Sequence, residues 1–335
     1  MRVTTQSITR NYNSGLQRVL RNLNTSREKV TTKRKYLKGS ESPADAAKAY
    51  RLRREMSRTE NYLSNVQNVQ STFENIESSM MTISKYADDV YLKAIEVNGT
   101  ISKNQDQRAI IAREIRGIQE AAVMELNAKF EGEYLFGGSS TQGLPFALSD
   151  SGRLTFRGID VDAAEGTADY DTLKEMVNEK IFIDLGFGLT LDSNNQVEES
   201  SAFNTAMPGI KFLGFGKDGN GLSNNLINTM DDIADLLESS NFSTENLKTY
   251  TDKLETERTN ILINVTQLGS TTTFLENTKN RLENNEYSLN NNIEKTEYID
   301  LASAITDFKM QEYVYQAALK MGNSILSPSF IDFMK

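Results

Sequence analysis

The side chains whose chemistry is most legible in this sequence are apolar, and that chemistry is burial against a partner. Near the start, Ile8, Tyr12, Leu16, Val19, Leu23, Val30 and Leu37 recur at intervals of four, three or seven residues. Near the finish, Leu301, Ile305, Phe308, Tyr315, Leu319 and Leu326 do the same. Heptad spacing gathers such residues on one helix face, where they pack into a facing helix. Neither stretch carries enough apolar surface to fold alone. The two are expected to pack on each other and on further copies of the chain.

Reactive groups are scarce by comparison. The 335 residues include no Cys and no His. That excludes thiol nucleophiles, imidazole acid–base relays and His/Cys zinc sites. Carboxylate chemistry or a calcium site would still be open, but no D-x-D-x-D-G loop occurs. The expectation is a protein that is not an enzyme, with no catalytic residue, no cofactor and no metal.

Charge is uneven. Residues 1–60 hold 15 Lys/Arg against 5 Asp/Glu, whereas the whole chain carries −9. A basic arm of this kind can serve nucleic acid or an anionic membrane surface. Here Arg27, Lys29, Lys33, Arg34 and Lys35 flank an apolar stripe, with no aromatic or Gly interleaving. The simpler reading is the solvated face of an amphipathic helix, so neither nucleic acid nor membrane is expected as a partner. No run approaches the roughly 20 apolar residues of a membrane span, and the first twenty residues lack the apolar centre of a cleaved export signal.

The elements that must position the stripes follow from turn and cap signals. Ser42, Pro43 and Asp45 read as N-cap, first helical residue and capping carboxylate. From residue 44 the stripe Leu52, Met56, Thr59, Leu63, Val66, Gln70, Phe73 slips by one and resumes as Ile76, Met80, Ile83, Ala87, Val90, Ala94, Val97. Such a helix would be about 80 Å long. Asn98-Gly99-Thr100 should end it, and Ser102 with Gln105 should box the start of a third helix bearing Ile111, Ile115, Ile118, Ala122 and Leu126. Between residues 132 and 221 lie 14 of the 20 glycines. Within that stretch, residues 153–160, 180–185, 187–192 and 210–215 read as strands, and 170–179 as a turn or two of helix. Helix resumes near Leu222, breaks at 239–243, and continues with Leu247, Tyr250, Leu254, Ile261, Val265, Leu268, Thr272, Leu275, Leu282, Leu289 and Ile293.

The fold class that results is mainly α. An elongated antiparallel helical rod or coiled-coil bundle has its N- and C-terminal helices paired and carries a small inserted β-rich domain. The expected domains are terminal assembly helices at 1–42 and 297–335, a helical rod at 43–144 and 222–296, and the insertion at 145–221. Terminal helices without tertiary partners are marginal, so residues 1–40 and 297–335 are expected to be mobile in a monomer. The insertion, exposed at a tip, is expected to be dispensable for incorporation.

Five segments in order carry a family resemblance: KGSESPADAA at residues 38–47, Asn98-Gly99-Thr100, RAIIAREI at 108–115, GEYLFGG at 132–138 with Pro145-Phe146, and YQAAL at 315–319 with SFIDFM at 329–334. On these the chain resembles the flagellin superfamily and, within it, the proteins of the hook–filament junction. Glu41-Ser42 stands where the family has an acidic pair, and Phe330 and Met334 stand where Leu is commoner. The resemblance implies a self-associated ring between a hook-side hook-associated protein and flagellin. It also implies a flagellar export chaperone as a partner, passage through the flagellar type III route, and an extracellular location. Two alternatives are the flagellin filament subunit itself and, in another class, a cytosolic helical-bundle adaptor, which would leave the Gly-rich insertion and the matched ends unaccounted for.

Overall fold

The computed structural model of the chain describes residues 5–97, 104–140 and 143–326. The described part is mainly helical: α1 (Thr5–Thr32), α2 (Pro43–Glu96), α3 (Gln105–Leu126), α4 (Ala168–Val177), α5 (Ile210–Leu213), α6 (Leu226–Glu238), α7 (Thr244–Glu297) and α8 (Leu301–Leu326). Short strands lie between α3 and α5. They are β1 (Lys129–Phe130), β2 (Glu133–Tyr134), β3 (Phe146–Leu148), β4 (Leu154–Phe156), β5 (Ile159–Asp160), β6 (Phe182–Ile183) and β7 (Phe203–Asn204). Two compact units result, Met1–Glu60 with Glu283–Lys335, and Asn61–Leu282. The division falls inside α2 and α7, whereas the sequence reading placed boundaries at 42/43 and 296/297 and at the two ends of the insertion, 144/145 and 221/222.

The first unit pairs α1 with α8. Where α1 ends, Lys33 takes φ +56°, and the chain forms two backbone hydrogen bonds with the segment before α8. Lys35 N–H donates to the Glu297 carbonyl at 2.7 Å, and Ile299 N–H to the Lys33 carbonyl at 3.0 Å. The nearly buried Glu297 carboxylate receives both arms of the Arg53 guanidinium, with Nε at 2.7 Å. That fork fixes α2 to the end of α7 at the root of the helix pair. At the start of α2, Asp45 accepts from the Ser42 hydroxyl at 2.9 Å. This bond, with Lys35 second, holds the Asp45 carboxyl below the usual carboxylate range.

In the second unit one core spans helices and strands alike. Val66, Phe73, Ile76, Met80, Ile83, Ala87, Val90 and Ala94 of α2 are buried as the stripe required, with Val69 rather than Gln70 turned inward. Leu247, Leu254, Ile261, Leu268, Leu275 and Leu282 of α7, spaced seven apart, are buried with them. Helix α3 packs on α6. Arg116 of α3 ties that contact down through Asp235 at 2.5 Å and Glu238 at 2.9 Å. Gln119 donates to the carbonyls of Gly152 and Ile227 at 3.1 and 3.2 Å.

Residues 145–221 are not a freestanding graft. Phe146, Leu154, Phe156, Val161, Leu173, Leu185, Ile210 and Phe212 belong to the same buried cluster as the helices. Deleting them would expose the helical core, so dispensability does not follow from the expected position at a tip.

Several local expectations change in detail. Residues 153–160 form a hairpin, not one strand, because Arg157 and Gly158 take φ +51° and +84° and turn β4 back on β5. Glu131 and Gly132 make the same kind of two-residue turn between β1 and β2. Residues 210–215 are helical at α5, and in 187–192 only an isolated bridge, Leu191 to Val197, occurs. The cap of α3 is Asn104, whose side chain accepts from the Asp106 and Gln107 N–H groups. The Ser102–Gln105 box is therefore not what starts the helix, and Ser102 lies outside the described residues, as does the Asn98-Gly99-Thr100 turn.

Candidate assembly surface on the terminal helix pair

Helices α1 and α8 run antiparallel, joined at one end by the backbone pairing of residues 33–35 with 297–299. Near the other end Tyr12 of α1 lies across Gly322 of α8, and its hydroxyl donates to the Ala318 carbonyl at 3.0 Å. Along α1, Tyr12, Leu16, Val19, Leu23 and Val30 are half-buried, on the stripe expected for them. Ile8 is exposed, and Thr9 takes the inward position at that turn. No α1 side chain that is described is fully buried.

On α8 the inward face differs from the one the sequence suggested. The buried or half-buried positions are Ala304, Phe308, Gln311, Glu312, Tyr315, Ala318 and Gly322, and all but Glu312 fall on one heptad stripe in which small residues sit beside two rings. Only Phe308 and Tyr315 belong to the stripe of large apolar residues. Leu301, Ile305 and Leu319 are 40, 43 and 44% exposed. At 100° per residue they form a strip along one side of the inward face, interrupted by Glu312, which pairs with Lys309 at 2.8 Å, while the exposed Met310 and Val314 lie along the other. The side chain of Leu326, at the last residue of α8, lies outside the described residues.

The reason is steric. Small residues let α1 approach α8 closely, and Gly322 leaves the space that the Tyr12 ring fills. The large apolar side chains are displaced to the flanks of the contact, where α1 does not cover them. Apolar side chains on a helix are normally covered by the elements packed against it. Here one partner helix covers only part of it.

Gly322 gives a test with an informative sign. In an isolated helix, Gly→Ala stabilises by about 1 kcal/mol. At this position a Cβ would stand 2.0 Å from the Tyr12 hydroxyl oxygen and 2.3 Å from Cζ. Gly322→Ala should therefore displace Tyr12, break its bond to Ala318 and speed tryptic cleavage within α1. Combining it with Tyr12→Ala should restore the gain from helix propensity. Slower cleavage in the single variant would show that Tyr12 does not hold the pair.

Among the described residues no group of three or more His, Cys, Asp or Glu is placed to hold a metal ion. No described helix is long and apolar enough to cross a membrane.

Residues 3–141 match the family model described as the bacterial flagellin N-terminal helical region. A search of the curated proteins finds no match. Among solved structures, a Vibrio parahaemolyticus protein assigned as flagellar hook-associated is similar at a TM-score of 0.59 and 18% identity. The match covers 77% of this chain and 100% of that one. FlgL of Bacillus cereus is similar at a TM-score of 0.50 and 19% identity, covering 73% of this chain and 99% of that one. At such identities the likeness is one of fold.

Proposed function

We propose that this chain, whose residues 3–141 match the N-terminal helical region of bacterial flagellins, is a structural subunit of the flagellum forming the joint between hook side and filament. The observation that carries the reading is the half-covered α8. Among the described residues nothing covers Leu301, Ile305 and Leu319 as the α2 and α7 stripes are covered. Neighbouring copies would supply it, so that burial of the apolar strips and assembly are one event. The proposed assembly residues are Ile8, Tyr12, Leu16, Val19, Leu23, Val30, Leu301, Ile305, Phe308, Tyr315, Leu319 and Leu326. Of these, Tyr12, Leu16, Val19, Leu23 and Val30, with Phe308 and Tyr315, order the helix pair, and Ile8, Leu301, Ile305 and Leu319 face neighbours.

The partners in this reading are the chain itself in a ring, a hook-associated protein on the hook side, flagellin on the far side, and an export chaperone before assembly. The fold likeness to a hook-associated protein and to FlgL supports the joint over the filament. In a free subunit the pair is held by little burial. Protease should then trim α1 and α8 first and stop at the Arg53–Glu297 fork.

Sheared flagella labelled for this chain separate the readings. A few copies at the hook end of each filament are expected. Label along the whole filament would make the chain the filament subunit, and label confined to cell lysate would make it a cytosolic adaptor.

A further inference from the structure

Glu257 lies on α7 where that helix meets α6, and it is 4% exposed. One carboxyl oxygen, Oε1, accepts from the Thr229 hydroxyl of α6 at 3.1 Å. The other, Oε2, is buried with no hydrogen-bond partner. A single neutral donor does not replace the hydration that an ionised carboxylate gives up on burial.

The charged groups around it do not make good the loss. Lys253, one turn earlier on α7, directs its ammonium to Asn224 Oδ1 at 2.6 Å and Asp218 at 3.3 Å. Asp232 on α6 and Asp162 after β5 have the same sign as Glu257, and both pair with Arg153, at 2.5 and 3.6 Å. Arg258, the next residue, turns to Asp88 of α2 at 2.9 Å. Lys211 and Tyr170 line a cavity of about 310 Å³ that Glu257 also borders. Burial is the leading cause, with Asp162 and Asp232 adding to it and Thr229 and Lys253 opposing, and the Glu257 carboxyl is pushed up to about 8.

We propose that Glu257 is a proton-held latch: with its proton it seats α6 on α7, and its ionisation favours a state in which this seam has opened to water. The sign follows from linkage. In the open or unfolded state the carboxyl has its ordinary value of 4.5, and in the closed state the value is about 8. The closed seam is therefore fully favoured below the lower value. It loses ground as pH rises between the two, by up to about tenfold in the opening equilibrium per pH unit, and no further once both states are ionised.

The test uses the full chain and Glu257→Gln, which keeps the shape and removes the titration. Amide exchange of residues 226–238, corrected for intrinsic rates, should agree within about threefold between the two proteins at pH 4. At pH 8.5 the original chain should open at least about 100-fold more often. A ratio that does not change with pH would overturn the latch. If the variant does not fold, the carboxyl carbon signal of Glu257 in the original chain decides instead. A midpoint near 8 supports the proposal, and one below 6 sinks it.

Discussion

Leu319→Asp should leave the thermal unfolding of residues 61–282 unchanged and still abolish incorporation into flagella. Leu319 is 44% exposed in the isolated chain, so a carboxylate there keeps most of its hydration and the subunit folds normally. In an assembly that covers the strip formed by Leu301, Ile305 and Leu319, the same carboxylate would be buried without a partner. That costs several kcal/mol, enough to lose packing. Cells making the variant should form few filaments and release flagellin into the medium. If the secreted amount of the variant falls as well, α8 is also the segment that an export chaperone grips. Normal filaments built with Leu319→Asp would show that this strip is not the assembly surface.

Gly214→Ala should produce a large loss of stability in the second unit. Gly214 follows α5 with φ +84° and ψ 168°, a region that residues with a Cβ avoid. A Cβ there would lie 2.0 Å from the backbone carbonyl oxygen of Asn224, and a backbone group cannot swing aside as a side chain can. The contact is also tied on both sides. Asn225 Nδ2 donates to the Gly214 carbonyl at 2.8 Å, and Asn224 N–H donates to the Gly216 carbonyl at 2.9 Å. Strain and collision together should cost about 3 kcal/mol or more, which for a unit of this size lowers Tm by roughly 6–12 °C. Gly219→Ala is the control: nothing lies within 4 Å of its Cβ position, so a change within about 0.5 kcal/mol is expected. Equal melting of the two variants would mean that the segment before α6 shifts freely to admit a Cβ.

The long helices were legible because their signal is repeated many times over. Seven apolar residues at intervals of seven in α7, from Leu247 to Leu289, have one helical reading, and Pro43 after Ser42 marks where α2 must start. The absence of Cys and His likewise bounds the chemistry whatever the fold. The short strands were harder to read. Their turns use Glu131-Gly132 and Arg157-Gly158, where the first residue is not the Asn or Asp that usually betrays such a turn. Residues 210–213 alternate in no way that separates a strand from one turn of helix, and Gly209 and Gly214 on either side suit both.

By itself the sequence determined that helices occur at both ends, that each carries a stripe, and that the stripes need partners. Composition and spacing decide these matters, and both are local properties. Which face of α8 meets α1 was decided only in the tertiary structure. Hydrophobicity ranks Leu301, Ile305 and Leu319 above Ala304, Ala318 and Gly322, so a sequence reading places the large residues at the contact. Close packing reverses the choice, because the Tyr12 ring fits only where α8 has no Cβ. The same holds for Glu257. Its residue type and helical position are plain in the sequence, but its proton is held by burial against α6 and by the like charges of Asp162 and Asp232. Burial is a property of neighbours distant along the chain, and the sequence does not state it.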